Sequence, residues 1–171
     1  MTLSKTLGIC ALGATFLSIM SAAQAQATLS SPDSLLPTAG TKEVSLAANY
    51  SFNGDKPYAV QGSYGVFTAP TVEFGGVAAI SGASHSTTAS SVGAFADYYF
   101  AGGASTQLLP YLGVFVGYSH VHDDSASVGG QGGVKYFFNP SIALDLEANY
   151  RAARHSSGTS NLILGLSTFF R

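Results

Sequence analysis

The chain's clearest pattern lies in Lys135-Tyr136-Phe137-Phe138-Asn139-Pro140-Ser141-Ile142-Ala143-Leu144-Asp145-Leu146-Glu147-Ala148-Asn149-Tyr150-Arg151. After Pro140 it alternates strictly. Ile142, Leu144, Leu146, Ala148 and Tyr150 fall on one face, and Ala143, Asp145, Glu147, Asn149 and Arg151 on the other. A period of two is the signature of a β-strand. An apolar face backed by a charged one suits a strand of a soluble sandwich. It equally suits a membrane barrel with lipid outside and a polar lumen inside.

Composition favours the second. The 171 residues suffice for one domain with a real core. Charged residues make up 9% of the chain, against about 25% in typical soluble domains. Mean hydropathy is positive. Beyond the N-terminus, no apolar run reaches the roughly 18–20 residues of a membrane helix. The net charge of −2 offers nothing to a nucleic acid.

Residues 1–25 read as a secretory signal peptide. Lys5 is its positive region, Thr6 to Met20 its apolar region, and Ala23-Gln24-Ala25 its cleavage site, with Ala25-Gln26-Ala27 as a second choice. Cys10, the single cysteine, lies inside it. The exported chain therefore has no disulfide to rely on. Residues 26–41 are rich in Ser, Thr and Pro and read as a flexible lead-in.

Residues 42–171 then read as eight alternating segments, at about 42–52, 58–67, 71–81, 90–100, 109–119, 126–138, the opening stretch after Pro140, and 160–170. Turns or loops separate them, including Arg154 to Thr159. The pattern predicts an all-β fold: an eight-stranded antiparallel up-and-down transmembrane β-barrel.

Three features support this. Glu43, Glu73, Asp97, Lys135, Asp145, Glu147 and Arg151 all share the inward parity. A basic residue on the lipid face at mid-bilayer would cost about 2–4 kcal/mol. Outward aromatics sort into two belts. Tyr50, Phe52, Tyr58, Tyr118 and Tyr150 stand at one end, and Phe74, Tyr98, Phe100, Tyr136, Phe138 and Phe170 at the other. Finally, a three-residue turn Asn139-Pro140-Ser141 sets position 138 against 142 and Lys135 against Asp145, both inward.

In Gly132-Gly133-Val134-Lys135-Tyr136-Phe137-Phe138, in Ala148-Asn149-Tyr150 and in the C-terminal Leu162 to Phe170, the chain resembles the small outer-membrane β-barrel superfamily, the OmpA/OmpX-type eight-stranded proteins. The resemblance implies a cell outer membrane location in a Gram-negative bacterium. It also implies a terminal aromatic read by the barrel assembly machinery; here Arg171 follows Phe170.

Candidate chemistry is sparse. Phe67, Tyr99, Tyr111, Phe137 and Phe169 point inward at one end, with Phe95 and Phe115 a layer above. They suggest a plugged floor beneath a polar cup lined by residues such as Asn49, Gln61, Gln131 and Asn149; ordinary core filling is the plainer reading. The lumen charges read as a proton or cation site, or as a polar network that fixes register. His120-Val121-His122-Asp123-Asp124 offers a metal site only at a weak spacing, beside the reading of solvated loop histidines. In Arg154-His155-Ser156-Ser157-Gly158, His155 and Ser157 match the His-x-Ser of outer-membrane lipid A deacylases, but Gly158 stands where those enzymes have Asn.

The expectation is a non-enzymatic outer-membrane barrel with a structural or surface role and a lumen plugged at the periplasmic end. It has no catalytic, cofactor or metal residues. Its partners are outer-membrane lipids and lipopolysaccharide, and it is a monomer. The alternatives are a surface adhesin, a small-ligand-binding barrel and, last, a deacylase using His155 and Ser157.

Overall fold

The structure is a computed structural model and describes residues 37–50, 58–82, 89–100, 107–120, 125–153 and 156–171. These residues form eight strands: β1 Lys42–Tyr50, β2 Tyr58–Ala69, β3 Val72–Gly82, β4 Ala89–Tyr99, β5 Leu108–His120, β6 Ser125–Asn139, β7 Ile142–Ala153 and β8 Ser156–Phe170. Each pairs antiparallel with its sequence neighbours, and β1 closes the ring against β8 from Lys42↔Phe170 to Ala48↔Leu164. Closure removes the open edges that a sheet would otherwise expose.

Two expectations need correction. Arg154 to Thr159 is not all loop. β8 already begins at Ser156, and Thr159 pairs with Arg151. Ser, Gly and Thr give no alternation to read, yet their backbones extend the ladder regardless. The turn after β6 also differs. It holds two residues, Pro140 and Ser141, with Asn139 paired to Ile142 and a bulge at Phe138. The bulge restores the parity that a plain two-residue turn would break, so Lys135 still faces Asp145. The Asn139 side chain accepts a hydrogen bond from the Ser141 N–H at 2.8 Å and fixes the turn. The β2–β3 turn repeats the device: Ala69 pairs with Val72 around Pro70 and Thr71, with a bulge at Thr68.

The strand alternation sorts the side chains as expected. Outward Leu112, Val114, Val128, Leu146, Leu162 and Leu164 are exposed. So are Tyr58, Tyr118 and Tyr150 of one belt and Phe74, Tyr98, Phe100, Tyr136 and Phe138 of the other. The Tyr50 side chain and Phe52 lie outside the described residues. Inward, Glu43, Glu73, Asp97, Lys135 and Asp145 are buried, and Glu147 and Arg151 line the same lumen.

The end of the barrel that holds the start of β1 and the finish of β8 is its terminal end. Here Phe67, Tyr99, Phe137 and Phe169, one near the finish of each even strand, are almost wholly buried. Each donates its N–H to a carbonyl just before the preceding strand, of Thr41, Thr71, Gln107 and Ser141 respectively, at 2.7–2.8 Å. With Leu109, Tyr111 and Ala143 they form the buried apolar cluster of the described residues.

Candidate functional site: a charged lumen above an aromatic layer

The aromatic layer is continuous. Ring centroids run from Tyr111 to Tyr99 at 5.3 Å, on to Phe67 at 5.1 Å, to Phe169 at 6.3 Å and to Phe137 at 5.0 Å. The pairs are tilted, a geometry that rings with a negative face and a positive edge favour. Each even strand supplies one of these rings from an inward position near its finish, at 67, 99, 137 and 169, and β5 adds Tyr111.

Directly above it the charges meet. Lys135 Nζ lies 2.6 Å from Glu43 Oε1 and 2.9 Å from Asp145 Oδ2, and all three side chains are buried. The Asp145 partner follows from the hairpin register. The Glu43 partner reaches across the lumen, and sequence reasoning missed it. Ser167 Oγ donates to the same Glu43 oxygen at 2.7 Å. Lys135 also sits 5.2 Å from the centre of the Tyr111 ring. A buried ammonium is tolerable only when its donors are engaged, and this one has two carboxylates and a ring face.

The tyrosines of the layer carry the network upward. Tyr99 donates its hydroxyl to Glu73 at 2.5 Å. The Tyr111 hydroxyl lies within 3.2 Å of both Asp145 and Glu147. Asn149 donates to Glu147 at 2.9 Å, Asn161 to Asn149 at 3.2 Å, and Asn49 to Asn161 at 3.4 Å. One hydrogen-bonded chain therefore runs from Lys135 through β7 and β8 to β1. On the opposite side Gln131 donates to Asp97 at 2.8 Å.

The upper lumen is fuller than the cup expected from sequence. The Phe115 ring lies over Gly93 and Gly117, where a Cβ at either glycine would collide with it. The Arg151 guanidinium stacks on that ring, 4.4 Å from its centre. Nothing in the spacing of Phe115 and Arg151 announces this contact. What remains is a cavity lined by Ser45, Gln61, Ser63, Gln131 and the lumen charges. Its volume is about 30 Å³, room for a few waters.

Of the loop residues singled out in the sequence, His122, Asp123, Asp124 and His155 lie outside the described residues. His120 ends β5 with its side chain exposed. The Ser157 backbone belongs to β8, but its side chain lies outside what is described. The structure therefore does not bring His155 and Ser157 together or separate them.

No protein-family model matches the chain, and no curated protein matches its sequence. Solved structures do match. Neisserial surface protein A is 20% identical with a TM-score of 0.56, over 76% of this chain and 95% of that one. The N-terminal β-barrel domain of Pseudomonas aeruginosa OprF is 18% identical with a TM-score of 0.61, over 78% and 100%. A de novo designed transmembrane β-barrel is 16% identical with a TM-score of 0.61, over 79% and 99%. The chain thus has the fold of the small eight-stranded outer-membrane β-barrels. A barrel designed from scratch matches with the same TM-score as the OprF domain, so the likeness is one of fold.

Proposed function

We propose that the protein is a non-enzymatic integral outer-membrane β-barrel, closed at its periplasmic end, with a structural or surface role in the cell envelope. The observation that carries this is the sorting of side chains. Seven charges line the lumen, while the outward faces of the strands present exposed Leu, Val, Phe and Tyr. In water this exposed apolar surface would aggregate; in a bilayer it is the solvated face. Lys42, which takes the outward parity, stands at the rim as the first residue of β1, where a long amine reaches the headgroups.

The terminal end is the periplasmic one, since short turns belong on that side of such barrels. Phe67, Tyr99, Tyr111, Phe137 and Phe169 then form the floor. The small polar cavity above it suits a few waters, not an organic ligand. The partners are outer-membrane lipids and lipopolysaccharide, with the assembly machinery acting during insertion, and the barrel is a monomer.

The test is fractionation of cells that express the tagged chain, with boiled and unboiled samples compared by electrophoresis. The proposal expects the protein in the outer-membrane fraction, with faster migration before boiling. Recovery in the soluble periplasmic fraction would overturn it.

A further inference from the structure

The described residues put five carboxylates in the lumen, Glu43, Glu73, Asp97, Asp145 and Glu147, against two cations, Lys135 and Arg151. Most of their oxygens have donors. Two are buried without one. Glu43 Oε2 and Glu73 Oε1 are buried without a hydrogen-bond partner, on side chains only 3% and 1% exposed.

These two atoms belong to neighbouring places in the wall. Glu43 on β1 pairs directly with Gly65 on β2. Glu73 on β3 reaches back over the same glycine, and a Cβ at Gly65 would collide with Glu73 Oε1. Gly65 thus leaves the gap that Glu73 fills, beside Glu43. The other oxygen of each acid is committed. Glu43 Oε1 takes Lys135 and Ser167, and Glu73 Oε2 takes Tyr99. The remaining groups around the pair are Asp97 of β4, Tyr111 of β5, and Asp145 and Glu147 of β7. Asp97 is held by Gln131, and the two β7 acids face Tyr111, with Asp145 also on Lys135. Lys135 is engaged elsewhere, and Arg151 stacks on Phe115 with its own Nε buried without a partner, so neither cation donates to the two bare oxygens.

We propose that Glu43 and Glu73 form a two-carboxylate site that binds one proton between them. One acid keeps its O–H and donates it to the other's carboxylate, so both bare oxygens gain a partner and the pair carries one negative charge instead of two. That remaining charge lies against the Lys135 ammonium on the Glu43 side. No bond beyond the O–H is made or broken, and the proton comes from water. Two carboxylates that face each other in a buried site share a proton for the same reason elsewhere: both cannot ionise at close range.

The test is infrared spectroscopy of the full barrel in dodecylphosphocholine micelles, which have no ester carbonyl, at neutral pH. The wild type should show a carboxylic-acid C=O band that shifts in heavy water. Glu73→Gln and Glu43→Gln should each abolish it, because the amide replaces the acid as donor; either variant alone decides the matter. Asp97→Asn should keep it. Exchange of sodium for choline should leave it unchanged. A wild type without the band, a band that survives either Gln variant, a band lost only in Asp97→Asn, or one that appears only when sodium is removed would overturn the proposal. The last outcome would assign the site to a metal cation instead.

Discussion

The β2–β3 and β6–β7 hairpins share a backbone and differ in their lumens. Phe67-Thr68-Ala69-Pro70-Thr71-Val72 and Phe137-Phe138-Asn139-Pro140-Ser141-Ile142 make the same two-residue turn with the same bulge. In both, the buried Phe sends its N–H to the strand before it. The shared register extends further, to Gln61 and Gln131, Gly62 and Gly132, and Ala78 and Ala148. Yet where the second hairpin carries Lys135, Asp145 and Glu147, the first has Gly65, Gly75 and Val77. Where the first carries Glu73, the second has Ala143.

The difference teaches how a narrow barrel accommodates long charged chains. In a ring of eight strands β2 stands across from β6, and β3 from β7. A lumen of this strand number is only just wide enough for side chains. Large and small residues must therefore face each other across it. Lys135 reaches across to Glu43, the ladder partner of Gly65, while Glu73 takes the space that Gly65 leaves. The turn and the floor are set locally and twice. The charges are set across the lumen and once.

The two hairpins differ most in what their lumen charges carry. Lys135→Met leaves Glu43 and Asp145 without their cation and should cost about 3–5 kcal/mol, read by urea unfolding in detergent micelles. A cost below about 1 kcal/mol would deny the triad any structural weight. Phe67→Ala and Phe137→Ala should each cost about 3–5 kcal/mol. Their equality is the sharper point: clearly unequal midpoints would show that the two hairpins are not equivalent. Gly75→Ala puts a Cβ into the Phe95 ring and should cost about 1–3 kcal/mol, whereas Ala143→Gly across the barrel should cost only about 0.5–1 kcal/mol. Pro70→Ala and Pro140→Ala should each stay below about 1 kcal/mol, since the bulges and side-chain bonds hold those turns.

Much of this was legible from sequence, for a physical reason. Period-two alternation is a local property, so the strands, the inward charges and both aromatic belts could be read from Val44 to Phe170. The bulge at Phe138 could not. A three-residue turn and a two-residue turn with a bulge give Lys135 the same partner, and the neighbouring Phe137 and Phe138 hide the slip. Ser156 to Thr159 escaped because a strand of small polar residues has no face to show. The Lys135–Glu43 contact joins residues 92 positions apart. It depends on the stagger of the closed barrel, which no local pattern encodes. The same holds for Arg151 on Phe115.

The central claim is a barrel that spans the membrane and is closed by its aromatic floor. Single-channel recording in planar bilayers tests it most directly. The account predicts that the wild type inserts without a stable unitary conductance, and that Phe67→Ala combined with Phe137→Ala opens one. A stable conductance from the wild type itself would contradict it.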